Sequence, residues 1–448
     1  MKTIFIPIYH AFTSRNILRT DVFNILKENN KLIIFIPNDK EGYYLKNFKH
    51  ENVEFIGTTD INEGKKLRFL RKMARFLFNS GSIYWFLKVE RATQMSLFKY
   101  IYNSLLSKLG TFKIFRDIIK SIYQSNIKDN IYLKYFEKYK PDLVFIPDIY
   151  RTNEIYMALA AKQKNVKTIG MVRSWDNILG KGTCLIDLDR LIVHNENMKK
   201  EAIKYLGYQE KDIEVVGLPH FDYYLNFDPT LKNEFYNKLG LNENDKYVLF
   251  VPYFGTYTEA TNEILEIFQT AVAENKLSNN LKLVLRMPQS YTPGFIKLFE
   301  GKNIVVDYPC FKYEDTRKSS WEFTDEDMKH LADSIHYSEI VINFASTLTL
   351  DAAAFDKPII NIKFDGYKNK KFAFSMKQIY KVEHWKYVFK TGGTKYPESI
   401  DQFINNINTY LNNPSEDKEA RSKLINNQAF KFDDMSGKRA AEYIISQL

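Results

Sequence analysis

The strongest constraint in this chain is an alternation of short apolar runs with stretches of helical spacing, interrupted once by turn residues and then resumed. Apolar runs stand at Thr3 to Ile8, Lys31 to Ile36 and Val53 to Ile56, and Ile17, Val22, Phe23 and Leu26 give helical spacing across Ser14 to Asn29. The alternation returns at Leu143 to Ile146, Thr168 to Val172, Leu191 to Val193 and Ile213 to Val216, with helices expected over Glu154 to Lys164 and Glu196 to Leu206. Strands and helices that alternate in this way indicate a parallel sheet covered on both faces. Gly217-Leu218-Pro219 and Asp228-Pro229 close the block, because glycine and proline take a chain out of a strand into a turn. A second block then opens, with strands expected at Tyr247 to Val251, Lys282 to Arg286, Ile304 to Val306, Ile340 to Asn343 and Ile359 to Ile362. Helices fit around 258–275, 293–300, 325–336 and 346–356, and the chain ends in helices near 399–412, 416–427 and 434–447. The expectation is an α/β protein of two Rossmann-like domains facing across a cleft, residues 1–230 and 231–448. A helical insertion over about 65–140 interrupts the first domain.

That insertion carries the charge. The whole chain has a formal net charge of +10, and Lys65 to Lys120 holds 13 Lys or Arg against Glu90 and Asp117 alone, so the remainder is close to neutral. Phe69, Phe76, Phe78, Tyr84, Trp85, Phe86, Phe98, Tyr100, Tyr102, Phe112 and Phe115 lie in the same segment. Basic residues mixed with aromatics suit an anionic membrane surface. An amphipathic helical insertion, aromatics inward and lysines outward, accounts for the same composition. Nucleic acid is not expected as a partner, because no recognised binding module is present.

Other classes are excluded by what is scarce. Cys184 and Cys310 make neither a disulfide framework nor a metal knuckle. Met1 to Pro7 reads as a strand opening rather than a signal peptide. No apolar run reaches the roughly 18 residues of a membrane span. The expected location is the cytoplasm, at the inner face of the membrane as a peripheral protein. The seven histidines show no paired metal spacing. Asp187-Leu188-Asp189 spells an acidic pair of the kind that can hold a metal, but it precedes a strand as a connection, so no protein-bound catalytic metal is expected.

The most informative stretch runs from Ile340 to Ile362. A strand ends at Asn343, Ser346 and Thr347 open a helix through Asp351, Ala352, Ala353 and Ala354, and Lys357-Pro358 stops it. Free backbone N–H groups and hydroxyls at a helix start can hold an anion. Asp351, one turn along from Thr347, can accept from two ribose hydroxyls. Equally, Ser346 can be a plain cap and Asp351 a favourable first-turn charge.

This stretch resembles the nucleotide-binding half of GT-B glycosyltransferases that build bacterial surface polysaccharides. The acidic residue there is usually Glu and is Asp351 here. The resemblance continues at Ser174 to Gly182, Val216 to Asp222, Glu383-His384-Trp385, Thr391-Gly392-Gly393, Asn413-Pro414 and Asp433 to Arg439. It covers about 140–448, and residues 1–140 match in architecture alone. It implies a GT-B fold and transfer of a sugar from a nucleotide-activated donor, a co-substrate with no further cofactor, to a lipid-linked or glycan acceptor. In the second domain it implies donor contacts from Tyr253, Gly255, Thr256, Arg286, Ser346, Thr347, Asp351 and His384. For Arg286 a structural salt bridge is the competing role, and for His384 a plain surface position. The first domain would hold the acceptor. His10 follows the first strand and can serve as a general base, since an ordinary imidazole titrates near working pH. Arg15 lies just beyond it. Arg173, Trp175 and Asp176 end a later strand, with Asp176 a second candidate base and Trp175 a platform for a sugar ring, although Asp176-Asn177 with Gly180 and Gly182 also suits a turn. Related chemistries remain open: a sugar-nucleotide 2-epimerase, a polyol-phosphate transferase resembling the CDP-glycerol-dependent enzymes, and a non-catalytic sugar-nucleotide-binding subunit.

Overall fold

The computed structural model describes residues 1–253, 257–287, 303–308 and 322–448. The chain divides into two compact units, residues 1–223 with 427–448, and residues 224–426. This corrects the expected division at 230. The boundary falls at Tyr223, and the last helix, Ser436–Ser446, belongs with the first unit, where it packs on the helix Asp21–Asn29.

Strands of the first unit are β1 (Lys2–Pro7), β2 (Asn30–Pro37), β3 (Val53–Thr58), β4 (Leu143–Ile146), β5 (Lys167–Met171), β6 (Arg190–Val193) and β7 (Ile213–Val215). They form one parallel sheet in the order β3-β2-β1-β4-β5-β6-β7. The second unit holds β8 (Lys246–Val251), β9 (Leu281–Arg286), β10 (Ile304–Asp307), β11 (Ile340–Asn343) and β12 (Ile359–Asn361), parallel in the order β10-β9-β8-β11-β12. Both sheets therefore share one winding. The first strand of each unit is flanked by its second on one side and its fourth on the other. That reversal of strand order opens a crevice at the carboxyl ends, where α/β sheets bind ligands. The central strands are buried on both faces, as in Phe5, Ile33, Val144, Leu249 and Ile342, which is why they read as apolar runs.

The helix expected over Ser14 to Asn29 is two helices, α1 (Ala11–Leu18) and α2 (Asp21–Asn29). The Thr20 hydroxyl donates to the carbonyls of Asn16 and Ile17, both at 3.0 Å, and closes the first helix before the second begins. After α3 (Glu41–Phe48) and β3 comes the insertion: α4 (Lys65–Phe76), α5 (Gly81–Thr93), α6 (Leu97–Leu109), α7 (Lys113–Ser125) and α8 (Leu133–Tyr139). Then α9 (Thr152–Gln163) follows β4. The inward-facing reading of the insertion holds for α4 and α5, which bury Leu70, Phe76, Ile83, Trp85 and Leu87. The insertion also pins the loop after β5. Thr183 donates its hydroxyl to Leu77 and its N–H to Ala74, and Gly182 has φ +91. A Cβ at Gly182 would stand 2.5 Å from the Arg75 Cα, so only glycine fits there. The expected helix at 293–300 lies outside the described residues.

Candidate functional site

In the first unit, the carboxyl ends of β1, β4 and β5 assemble a charged cluster. The chain leaves β4 through Pro147 into Asp148, a carboxylate 1 % exposed. Its Oδ2 accepts from the Arg173 guanidinium at 2.8 Å, and its Oδ1 accepts the Tyr150 N–H at 3.2 Å. Arg173 itself follows β5, so neighbouring strands supply the two halves of the pair. Six residues after Asp148, in the first turn of α9, stands Glu154, fully buried, and neither carboxylate oxygen has a hydrogen-bond partner. Arg151 Nε is 3.9 Å away, an ion-pair distance but too long for a hydrogen bond. Burial pushes the Glu154 carboxyl up to about 8, the Asp148 charge adds to this, and Arg151 and Arg173 oppose it. The site thus holds one carboxylate locked in an ion pair and one carboxylic acid kept protonated at neutral pH. Two carboxyl groups in such different surroundings, one ion-paired and one buried without a hydrogen bond, can divide acid and base roles.

His10 caps α1, its Nδ1 accepting the Phe12 N–H at 3.1 Å. The neutral imidazole therefore carries its proton on Nε2. Burial, followed by the charges of Arg173, Arg151, Lys40 and Lys181, lowers its pKa to about 3. This corrects the premise that His10 titrates near working pH: in the unliganded protein it is a neutral hydrogen-bonding group and a weak base. Arg15 is half-buried, with its guanidinium over the Phe12 ring at 5.2 Å and its Nε donating to Asn16. Trp175, the expected sugar platform, is 5 % exposed, so its ring is buried here. Asp176, half-buried, accepts from the Ser174 hydroxyl at 2.6 Å and precedes the short helix Asn177–Gly180. It reads both ways, as turn-former and as an accessible carboxylate.

Sequence reasoning missed Asp148, Arg151 and Glu154. Asp148 was within reach of the rule that singled out His10 and Arg173, since it directly follows a strand. Glu154 was not. It resembles any favourable first-turn acid, and α9 is buried from Asn153 to Ala161, so its spacing shows no polar face.

In the second unit, the loop after β11 turns through Ala345, whose φ of +44 is left-handed. The Asn343 Oδ1 accepts the Ser346 N–H at 3.1 Å and the Thr349 hydroxyl at 3.3 Å. The Ala345 N–H reaches the Tyr380 hydroxyl, which donates on to the Ile362 carbonyl. Leu348 donates to the Ser346 Oγ, and Thr349 and Leu350 donate to the carbonyls of Ser346 and Thr347. The helix, Leu348–Ala354, begins after Thr347. The expected free N–H groups are therefore largely used within the turn. What faces outward is the half-exposed Ser346 and the exposed Thr347. Asp351 is 8 % exposed and its Oδ1 accepts the Tyr224 hydroxyl at 2.6 Å, so a ribose would have to share or displace that partner.

Arg286 ends β9 and is 8 % exposed. Its Nη1 donates to Asp307 at 2.6 Å on the adjacent strand, and the other Asp307 oxygen meets His330 Nε2 at 2.7 Å. Burial would raise the Asp307 carboxyl, but Arg286 and His330 hold it below its ordinary value. Arg286 is thus engaged in the structural salt bridge that competes with its donor-binding role. Tyr253 is 48 % exposed, its ring edge-on to Tyr257 at 5.2 Å, and remains open for stacking. Gly255 and Thr256 lie outside the described residues, as does Cys310. His384 is half-buried in the turn Glu383–Trp385, edge-on to Trp385. Asp187 and Asp189 are engaged with Lys120 and Thr168. Among the described residues no group of three or more His, Cys, Asp or Glu could hold a metal ion.

No family model and no curated protein sequence matches the chain. Solved structures do match in fold. S. aureus MnaA in complex with UDP shares a TM-score of 0.57 at 12 % identity, over 100 % of this chain and 98 % of that one. UDP-GlcNAc 2-epimerase from Neisseria meningitidis bound to UDP-GlcNAc gives 0.56 at 13 %, over 100 % of both chains. A glycosyltransferase from Rickettsia africae gives 0.54 at 13 %, over 100 % and 98 %. At these identities the likeness concerns the fold, which is the GT-B type of two α/β units.

Proposed function

We propose that this protein is a glycosyltransferase that moves a sugar from a nucleotide-activated donor to a lipid-linked or glycan acceptor, in bacterial surface polysaccharide synthesis. The observation that carries the reading is the basic helical insertion in the first unit. An enzyme that isomerises one soluble sugar nucleotide has no use for it, whereas a transferase must hold a second substrate. Support for the donor comes from the fold neighbours with UDP or UDP-GlcNAc bound.

In this reading the second unit takes the donor, with Tyr253 stacking on the base, Ser346 and Thr347 near the diphosphate, Asp351 near the ribose and His384 a further donor group. The first unit takes the acceptor, with Arg15 and Arg173 as its polar contacts. The acceptor hydroxyl gives its proton to the Asp176 carboxylate, its oxygen bonds to the anomeric carbon, and the bond from that carbon to the diphosphate breaks, releasing the nucleotide. His10, neutral at working pH, contributes a hydrogen bond from Nε2. A negatively charged ligand beside Arg173, Arg151, Lys40 and Lys181 would offset their field and restore part of its basicity. The protein works from the inner membrane face as a peripheral protein, and no described helix is long and apolar enough to cross a bilayer.

One observation favours a second reading. The buried carboxyls of Asp148, ion-paired with Arg173, and Glu154, without a hydrogen bond, are the kind of pair that a sugar-nucleotide 2-epimerase could use. Incubation with UDP-, GDP-, CDP- and CMP-activated donors, with and without a membrane lipid extract as acceptor source, tests both. Nucleotide release only with acceptor is expected. Sugar isomerisation without acceptor would replace the transferase by the epimerase, and binding without turnover would leave a non-catalytic subunit.

A further inference from the structure

The insertion does not behave uniformly. While α4 and α5 turn their apolar residues inward, α6 and α7 leave theirs in water. On α6, Leu97, Ile101 and Leu105 recur at every fourth residue and are 57 %, 50 % and 55 % exposed. The inward side of that helix is Asn103, Leu106 and Ser107, a small and largely polar contact. On α7, Ile114, Ile118 and Ile122 repeat the same spacing, and all three are exposed. Side chains four residues apart share a helix face, so each helix carries a continuous apolar strip. The turn between them and the start of α7 add two exposed aromatics: Phe112 is 60 % exposed and its ring meets that of Phe115, also exposed, at 6.3 Å. The most exposed residue of the set is Phe98, at 80 %. Soluble monomers rarely expose contiguous apolar surface on this scale without a partner for it.

We propose that α6, α7 and the turn joining them are a docking face for an anionic lipid bilayer, with the helices lying in the interface rather than crossing it. Each helix has 13 residues, short of the roughly 20 a span requires. The charges choose the occupant. α6 carries Lys99 and Lys108, both exposed, and no acidic residue. Exposed cations continue onto α4 and α5 at Lys65, Lys66, Arg68, Lys72, Lys88 and Arg91. A second copy docking by two-fold symmetry would set this face against itself, cation toward cation: α6 has no acid, and Asp117, the one acid of α7, is already paired with Lys113 at 2.7 Å. Anionic headgroups supply the missing counter-charge while the acyl boundary takes up the apolar strips. The inference rests on the peripheral location proposed above and names the face and the lipid, while the transfer reaction itself does not enter it.

The test is flotation of the full-length protein, without any nucleotide sugar, on vesicles of mixed phosphatidylglycerol and phosphatidylcholine and on vesicles of phosphatidylcholine alone. Expected is binding about tenfold or more tighter to the anionic vesicles, weakened by added salt. The variant Phe98→Ser/Ile114→Ser should lose about tenfold or more on either vesicle, and Lys99→Glu/Lys108→Glu should lose the preference for anionic lipid while keeping the residual apolar binding. All four positions are exposed, and unchanged far-UV circular dichroism establishes that the variants are folded. Equal, salt-insensitive partitioning, or no binding by folded wild type, overturns the proposal. So does a concentration-dependent dimer in light scattering that Phe98→Ser/Ile114→Ser dissociates, with no vesicle binding, which would make the face an interface between copies.

Discussion

Glu154 gives the sharpest prediction because its environment converts directly into a pH dependence. In the unfolded chain its carboxyl titrates near 4.5, and in the folded protein burial raises it to about 8, with Asp148 adding to the rise and Arg151 and Arg173 opposing it. Between those two values the folded state holds a proton that the unfolded state has released. Stability therefore falls as pH rises through this window, and the loss is complete above about 8. A tenfold change in proton affinity is worth about 1.4 kcal/mol, so the full cost is on the order of 5 kcal/mol, of which about 2 kcal/mol accrues between pH 6 and pH 8. In a unit of this size that corresponds to roughly 4–8 °C in Tm. Glu154→Gln keeps the shape and removes the ionisation. Thermal unfolding of wild type and variant at pH 6 and pH 8 isolates the effect, since every other titrating group is common to both. The wild-type transition of the first unit should drop by several degrees more than that of the variant. Parallel pH profiles would mean that Glu154 does not change its proton affinity on folding, and the account of a protonated acid in the first turn of α9 would be wrong.

Three further outcomes follow from the same kind of reasoning. Asp307→Ala should destabilise the second unit by about 3–5 kcal/mol, because Arg286 is left buried without its counter-charge; denaturant unfolding that moves by less than 1 kcal/mol would contradict the structural role given to that pair. Asp351→Ala should weaken binding of the cognate nucleotide by about 10- to 100-fold, the loss of a charged hydrogen-bond partner, whereas Tyr224→Phe should leave it unchanged or tighten it by freeing an Asp351 oxygen; calorimetry in which both variants bind like wild type moves the ribose elsewhere. Gly217→Ala should cost more than about 1 kcal/mol, since Gly217 has φ +98 and a Cβ there would stand 2.4 Å from the Ser436 Oγ; an unchanged Tm for the first unit would show that the packing of the last helix does not depend on this glycine.

All twelve described strands were legible in the sequence, within a residue or two at their ends. The reason is physical: a strand covered on both faces, such as Ile4 to Ile6 or Leu283 to Leu285, must be apolar at successive positions. The places where chain leaves those strands were legible too, which is how His10, Arg173, Asp176 and the turn at Ser346 came into view. The charge of the insertion was equally plain. What the sequence could not separate is which of its aromatics turn inward, as Trp85 does, and which stay in water, as Phe98 does, because both kinds sit at helical spacing. Nor could it show that Arg286 is held by Asp307 on a neighbouring strand, that Asp351 meets Tyr224, or that the last helix returns to the first unit. Local spacing reports which face of its own element a residue occupies. Which group arrives opposite that face depends on how distant elements register against one another. The burial that raises the Glu154 carboxyl, and the cations that lower the His10 imidazole, exist only once the tertiary structure has brought them there.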